Sequence, residues 1–143
     1  MNKKAELFQK YLKSNNIEAF TIDEIENDEL NTVVFRSNLE IQGNNLPTIV
    51  ILDSSIYGTI RILISPRVLN ETNELALLQL INSYNKKYKS LKYYLDNQGD
   101  LVMDISLIFK PNQLESELIY TMFNVVIEHL NESYKEIMKT IWN

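Results

Sequence analysis

Apolar residues recur at two different spacings along the chain, and the changes between them mark the predicted elements. Residues 3–14 place Leu7, Phe8, Tyr11 and Leu12 on one face, with most of the lysines elsewhere. Apolar positions three and four residues apart are typical of a short amphipathic helix. The acidic stretch 23–29 that follows has no such period and is interpreted as a loop or a frayed helical turn.

Beyond that stretch the apolar period becomes two, which predicts three successive strands. The first covers residues 33–41, where Val33, Phe35, Leu39 and Ile41 share one face. Pro47 lies at the start of the second, where its missing N–H is best tolerated. The run 49–52 is apolar on both faces, which favours a central position in the sheet. The third strand covers residues 58–64, and the short turns imply an antiparallel meander.

The second half of the chain reads as a helix, a hairpin and a long helix. A helical stripe spans residues 73–88, and strands at 91–95 and 101–109 flank a turn that contains Gly99. Pro111 suits the first turn of a helix, and apolar positions at helical spacing then continue to Ile141. We therefore expect the last helix to cover residues 111–141.

These elements predict an α+β fold with an antiparallel five-stranded sheet and helices packed on it, in the order α-β-β-β-α-β-β-α. With 143 residues and no linker-like segment, the chain is expected to form one domain over residues 1–143. A chain of this length buries roughly two-thirds of its unfolded surface and needs no disulfide or metal to hold its core.

Charge and composition narrow the classes of partner. The formal net charge is −5, which argues against general binding to nucleic acid and against docking on an anionic membrane. Such acidity is compatible with binding basic or amphipathic partner segments, although solubility alone also explains it. No apolar run approaches the ~20 residues that a membrane span needs, and no signal-like segment is visible, so we expect a cytoplasmic protein.

The side chains that most enzymes use are scarce. The chain has no Cys, a single His at position 129 and three isolated Gly residues. It therefore offers no thiol nucleophile, no set of zinc ligands and no phosphate-binding loop. We predict no catalytic residue, no cofactor and no metal. A lone His beside an apolar helical stripe is interpreted as structural.

Two amides and two tyrosines are the candidate contact residues. Asn82 and Asn85, three residues apart, lie on neighbouring positions of one helical face. We interpret them as pinning that helix to a neighbouring strand or loop, with direct ligand contact as the alternative. Tyr88 and Tyr93 belong to a tyrosine-rich region that core packing explains. A groove for a peptide is the alternative there, because Tyr favours contact surfaces.

The segment 77–85, followed by a strand, a glycine turn and a long helix, resembles the YbjN-like family of bacterial sensory transduction regulators. Leu78, Ile81, Asn82 and Asn85 match the family pattern, and the hairpin turn at residues 96–100 matches as well. The resemblance is clearest over residues 70–140, and the first half is matched by element order only. It implies a fold like that of type III secretion chaperones, which are small, acidic and usually dimeric.

The leading hypothesis is a non-enzymatic protein-binding or regulatory module, chaperone-like in shape, with a protein or peptide partner and no nucleic acid or membrane. The resemblance places it in bacterial signal transduction or stress regulation. One alternative is a small-ligand sensor or an enzyme that uses a sheet–helix pocket near Asn82, Asn85 and Tyr93. The other is a structural homodimer.

Overall fold

The computed structural model describes residues 1–142, which contain three helices and a six-stranded sheet. The helices are α1 (Lys3–Ser14), α2 (Glu74–Lys87) and α3 (Ser116–Trp142). The strands are β1 (Thr21–Glu24), β2 (Val33–Ile41), β3 (Asn44–Leu52), β4 (Tyr57–Ser65), β5 (Lys92–Leu95) and β6 (Leu101–Ile108).

The strands lie side by side in the order β1-β2-β3-β4-β6-β5, and every neighbouring pair is antiparallel. The predicted meander of β2, β3 and β4 and the hairpin of β5 and β6 are both present. The α+β class is confirmed. The strand count was wrong, because the sheet has six strands rather than five and the element order gains one strand after α1.

The additional strand, β1, begins just before the acidic stretch that was interpreted as a loop or a frayed turn. Its four residues pair with the start of β2, from Thr21 opposite Arg36 to Glu24 opposite Val33. Only Ile22 among them is not fully exposed, so the segment shows no apolar alternation of its own. Pairing with β2 rather than local preference makes it a strand, since strand formation depends strongly on its neighbours.

The start of the last helix was also predicted wrongly. α3 begins at Ser116 instead of Pro111, and the residues between them form a turn. Asn112 has a φ of 58°, a left-handed conformation that a helix cannot continue through. Proline at the first helical position is a common signal, but here the ring lies in the turn before the helix.

All three helices contact the same face of the sheet. In α1 the Phe8 ring lies 4.9 Å from that of Phe35 on β2, in an edge-to-face arrangement. In α2 and α3, Tyr84 and His129 both pack on Tyr93 of β5. The register through the three intervening strands puts Phe35 and Tyr93 on one face, so the core lies between this face and the helices.

The opposite face has no helix of residues 1–142 packed on it. At its centre Arg61 on β4 bonds to Asp104 on β6 through two nitrogens, at 2.9 and 3.0 Å. Tyr94 donates a further hydrogen bond to the same carboxylate at 3.2 Å. The Asp104 side chain is buried although it faces away from the helices, and these bonds satisfy it.

Candidate protein-binding surface

Asn85 blocks the outer edge of β5 at Tyr93. Its side-chain N–H donates to the carbonyl oxygen of Tyr93 at 3.0 Å, and its side-chain oxygen accepts from the Tyr93 N–H at 2.8 Å. A strand residue turns its N–H and C=O to the same side, so the carboxamide occupies the place of a further strand. Asn85 thereby ties α2 to the edge of the sheet.

Asn82 has no comparable role in the structure. It lies one helical turn before Asn85 and is exposed, and its side chain makes no hydrogen bond to another described residue. Tyr93 is buried, and Tyr88 is half-buried. The structure thus brings three of the four candidate residues, Asn85, Tyr88 and Tyr93, to the junction of α2, β5 and α3.

This junction contains a buried polar network around the single histidine. The Tyr93 hydroxyl lies 2.6 Å from His129 Nε2, and Ser133 Oγ lies 3.5 Å from the other ring nitrogen. Burial, followed by the positive charge of Lys87, lowers the pKa of His129 to about 4. Burial also raises the pKa of Tyr93. At neutral pH the imidazole is therefore neutral, and Nε2 accepts a hydrogen bond from the Tyr93 hydroxyl, which keeps its proton.

The geometry of the network is that of packing rather than of a reaction centre. His129 is surrounded by aromatic rings, with the Tyr88 ring centroid 4.3 Å away and Tyr84 edge-on at 5.6 Å. An open depression of about 230 Å³ lies beside it. Its lining includes Tyr88 and His129 but none of Asn82, Asn85 and Tyr93, around which the alternative pocket was predicted.

The other side of the sheet leaves part of a strand edge unpaired. β1 pairs with β2 only from Val33 to Arg36, and no other described strand continues that pairing over residues 37–41. A two-residue turn of Gln42 and Gly43, with φ values of 50° and 80°, connects β2 to β3. In such a hairpin the residues flanking the turn bond to each other, and the pattern then alternates. Asn38 and Glu40 consequently point their N–H and C=O groups outward.

An apolar groove of about 200 Å³ runs beside this unpaired edge. We call it the edge groove, and it lies between β2, the residues that precede β1, and α3. Its lining residues are Ala19, Phe20, Ser37, Asn38, Leu39, Tyr120, Phe123, Asn124 and Ile127. The Phe123 ring lies 6.1 Å from that of Phe20 and 5.8 Å from that of Tyr120, so the aromatic wall is supported by mutual packing.

Sequence reasoning missed the edge groove. One signal was present, because the alternation of β2 keeps Leu39 and Ile41 on its apolar face well beyond Arg36. That signal becomes informative only when the end of β1 is known, and β1 was not predicted. The spacing of Tyr120 and Phe123 is equally typical of core positions in a long amphipathic helix, so it did not indicate a groove.

Comparison with known proteins supports the resemblance stated above. The YbjN family model, described as "Putative bacterial sensory transduction regulator", matches residues 5–138. No curated protein matches the chain. Among solved structures, the crystal structure of the ExsC–ExsE complex matches with a TM-score of 0.57 and 11% identity, over 94% of this chain and 96% of that chain. ExsC is a type III secretion chaperone, and at this identity the likeness confirms the fold alone.

Proposed function

Because the chain belongs to the YbjN family, we propose that it is a non-enzymatic regulatory module that binds an extended segment of a partner protein along β2. The proposal includes a chaperone-like mode of action in bacterial signal transduction or stress regulation, in the cytoplasm. No helix among residues 1–142 is long and apolar enough to cross a membrane.

The observation that carries this proposal is the unpaired edge of β2 beside the edge groove. An incoming strand gains main-chain hydrogen bonds from such an edge, and adjacent pockets select its alternate side chains. Asn38 and Glu40 supply the outward N–H and C=O groups. At about 3.3 Å per residue, residues 37–41 accommodate a short strand of a few residues.

The groove wall suits such an occupant. Phe20 and Tyr120 are half-buried and Phe123 is buried, so the wall offers apolar surface while the rings are already held in place. Aromatic side chains lose little conformational freedom on binding and are enriched in the buried centre of protein interfaces. The main-chain hydrogen bonds at the edge therefore do not depend on the sequence of the partner, and the groove selects among the partner's side chains.

A variant that cannot pair along the outward edge of β2 tests the proposal. Asn38→Pro removes the outward N–H without touching the bonds between β2 and β3, whereas Asn38→Ala removes only the side chain. Wild-type protein and both variants are used to select peptides from a random displayed library. We expect wild type and Asn38→Ala to enrich the same peptides and Asn38→Pro to lose them. Enrichment of the same peptides by all three proteins would show that the edge is not the site.

Homodimerisation is measured on the same samples by light scattering. A dimer that Asn38→Pro dissociates would mean that a second copy occupies the edge, and the proposed partner would then be wrong. An oligomer that wild type and both variants form equally would be held together by a surface other than the β2 edge.

A further inference from the structure

We infer that the segment bound at the edge groove is basic as well as apolar, with Lys or Arg alternating with aliphatic or aromatic residues in an extended strand. This inference rests on the proposed function, because it specifies the occupant of the same site. It is carried by the distribution of charge around the edge groove.

The three segments that border the groove contain acidic residues and no basic ones. They are residues 15–23, which lead into and form most of β1, the unpaired part of β2 at 37–41, and the part of α3 at 116–127. Their acidic residues are Glu18, Asp23, Glu40 and Glu117. The whole chain has 19 acidic and 14 basic residues, so the rest of it is close to neutral. The segments around the groove therefore carry a net negative charge, which the rest of the chain does not share to a comparable degree.

Most of these carboxylates are exposed and have no cationic partner. Asp23 is the exception, because Arg36 lies 3.3 Å from it. Glu18, Glu40 and Glu117 are exposed, and none of them is ion-paired within the described residues. Residues three apart are neighbours on a helix surface, so Glu117 lies beside Tyr120 and the stripe of α3 that lines the groove.

The alternation of a strand explains why the occupant combines two kinds of side chain. Leu39 faces the helices, so an added strand would direct every second side chain into the apolar groove beside it. The intervening side chains would lie next to Asn38 and Glu40 on the other face of the sheet. A Lys or Arg opposite Glu40 makes a favourable cross-strand pair, and an acidic residue there is repelled. The negative electrostatic potential of the remaining carboxylates adds to this preference for basic side chains. It also accelerates association with a basic segment.

The test uses the composition of the selected peptides and one charge reversal. In the pool enriched by wild type and lost with Asn38→Pro, we expect Lys and Arg to be enriched about threefold over the starting library, at alternate positions between apolar residues. The best basic peptide is then synthesised, and its binding is measured by fluorescence anisotropy. Glu40→Lys should weaken its binding about fivefold, an effect that added salt reduces. Glu71→Lys, which makes the same change of charge on the loop before α2, should leave binding nearly unchanged.

The outcomes separate the two proposals. A pool that depends on the edge but is neutral or acidic would overturn the charge inference and leave edge binding intact. Equal effects of Glu40→Lys and Glu71→Lys would also overturn it, because the charge preference would then not be local to the groove. A pool that survives Asn38→Pro, or no enriched pool at all, would overturn the proposed function itself and the inference with it.

Discussion

The two outer edges of the sheet are treated differently in this fold. At β5 the Asn85 carboxamide takes both outward groups of Tyr93, and α2 covers the edge. At the other side β1 covers only the first four residues of β2, and residues 37–41 stay unpaired. Exposed strand edges invite unwanted pairing, and proteins usually block them. An edge left open beside an apolar groove, in a chain that blocks its other edge at Tyr93, is therefore better explained as a binding surface.

The two ends also differ in what holds them together. The β5 end is built on the buried hydrogen bond between Tyr93 and His129, beside which the buried Tyr84 donates to the exposed Glu136. The edge groove is lined by two half-buried rings, Phe20 and Tyr120, beside the buried Phe123, and the outward backbone groups of the edge belong to exposed residues. Substitutions at the β5 end should accordingly lower stability, whereas substitutions at the β2 edge should change binding and leave stability intact.

The largest effect is expected at Tyr93, which is 2% exposed. Tyr93→Ala removes a packed ring and leaves the imidazole without its donor, and should lower the free energy of unfolding by about 4 kcal/mol. Tyr93→Phe keeps the ring and should cost about 1 kcal/mol, which isolates the hydroxyl. Urea denaturation measures both. If the two variants lost equal stability, the hydrogen bond to His129 rather than packing would dominate this end.

Acidic pH should lower the stability of the β5 end because His129 is buried there in its neutral form. The pKa of this histidine is lowered to about 4 by burial, whereas in an unfolded chain it stays near 6.5. As the pH falls, the unfolded state takes up the proton first. The contribution of the neutral, buried His129 to the free energy of unfolding is fully present above about pH 6.5. It is lost progressively toward pH 4, by about 2 to 3 kcal/mol in total. Unfolding free energies measured between pH 7 and 4 test this.

His129→Gln is the control for the titration. It removes the titrating group, so the loss of stability over that pH interval should become shallower than in wild type. The carboxylates titrate in both proteins and cancel in the comparison. Parallel pH curves for the two proteins would show that the histidine is not what couples this end to acid.

The tie between α2 and β5 is tested by the two amides of α2. Asn85→Ala breaks two hydrogen bonds to the backbone of Tyr93 and should lower the free energy of unfolding by about 1 to 2 kcal/mol. Asn82→Ala, on the same helix, should change it by less than about 0.5 kcal/mol because that side chain is exposed and unbonded. Self-association of Asn85→Ala, detected by light scattering, would further indicate that the amide protects the edge. Equal stability losses for the two variants would contradict this role.

The sequence predicted the elements whose pattern is strong within their own length. The helices, β2 to β4 and the final hairpin all follow from apolar spacing, because each buries one face against the same core. β1 was missed because only Ile22 in it is even half-buried, and its pairing partners lie 9 to 15 residues further along the chain. The last helix was started too early because proline is common both at helix starts and in turns.

The same distinction applies to the site. The spacing of Asn82 and Asn85 identified two amides that need partners, but only the packed structure shows that Asn85 bonds to Tyr93 and that Asn82 is exposed. The edge groove depends on where β1 ends and on the separation of α3 from β2. Both are tertiary properties without a local pattern, so no reading of single segments was able to find them.

The smallest change in stability is expected at the open edge. Asn38→Pro removes an N–H that bonds to no described residue, and proline is tolerated at such positions of an edge strand. Its free energy of unfolding should lie within about 0.5 kcal/mol of wild type, as urea denaturation can measure. Ser37→Pro is the matched control, because by the ladder alternation its N–H points toward Thr48 on β3, and it should cost about 2 kcal/mol. If Asn38→Pro were as damaging as Ser37→Pro, the Asn38 N–H would already be bonded within the fold. The edge would then be closed at both ends of the sheet, and the difference between them would disappear.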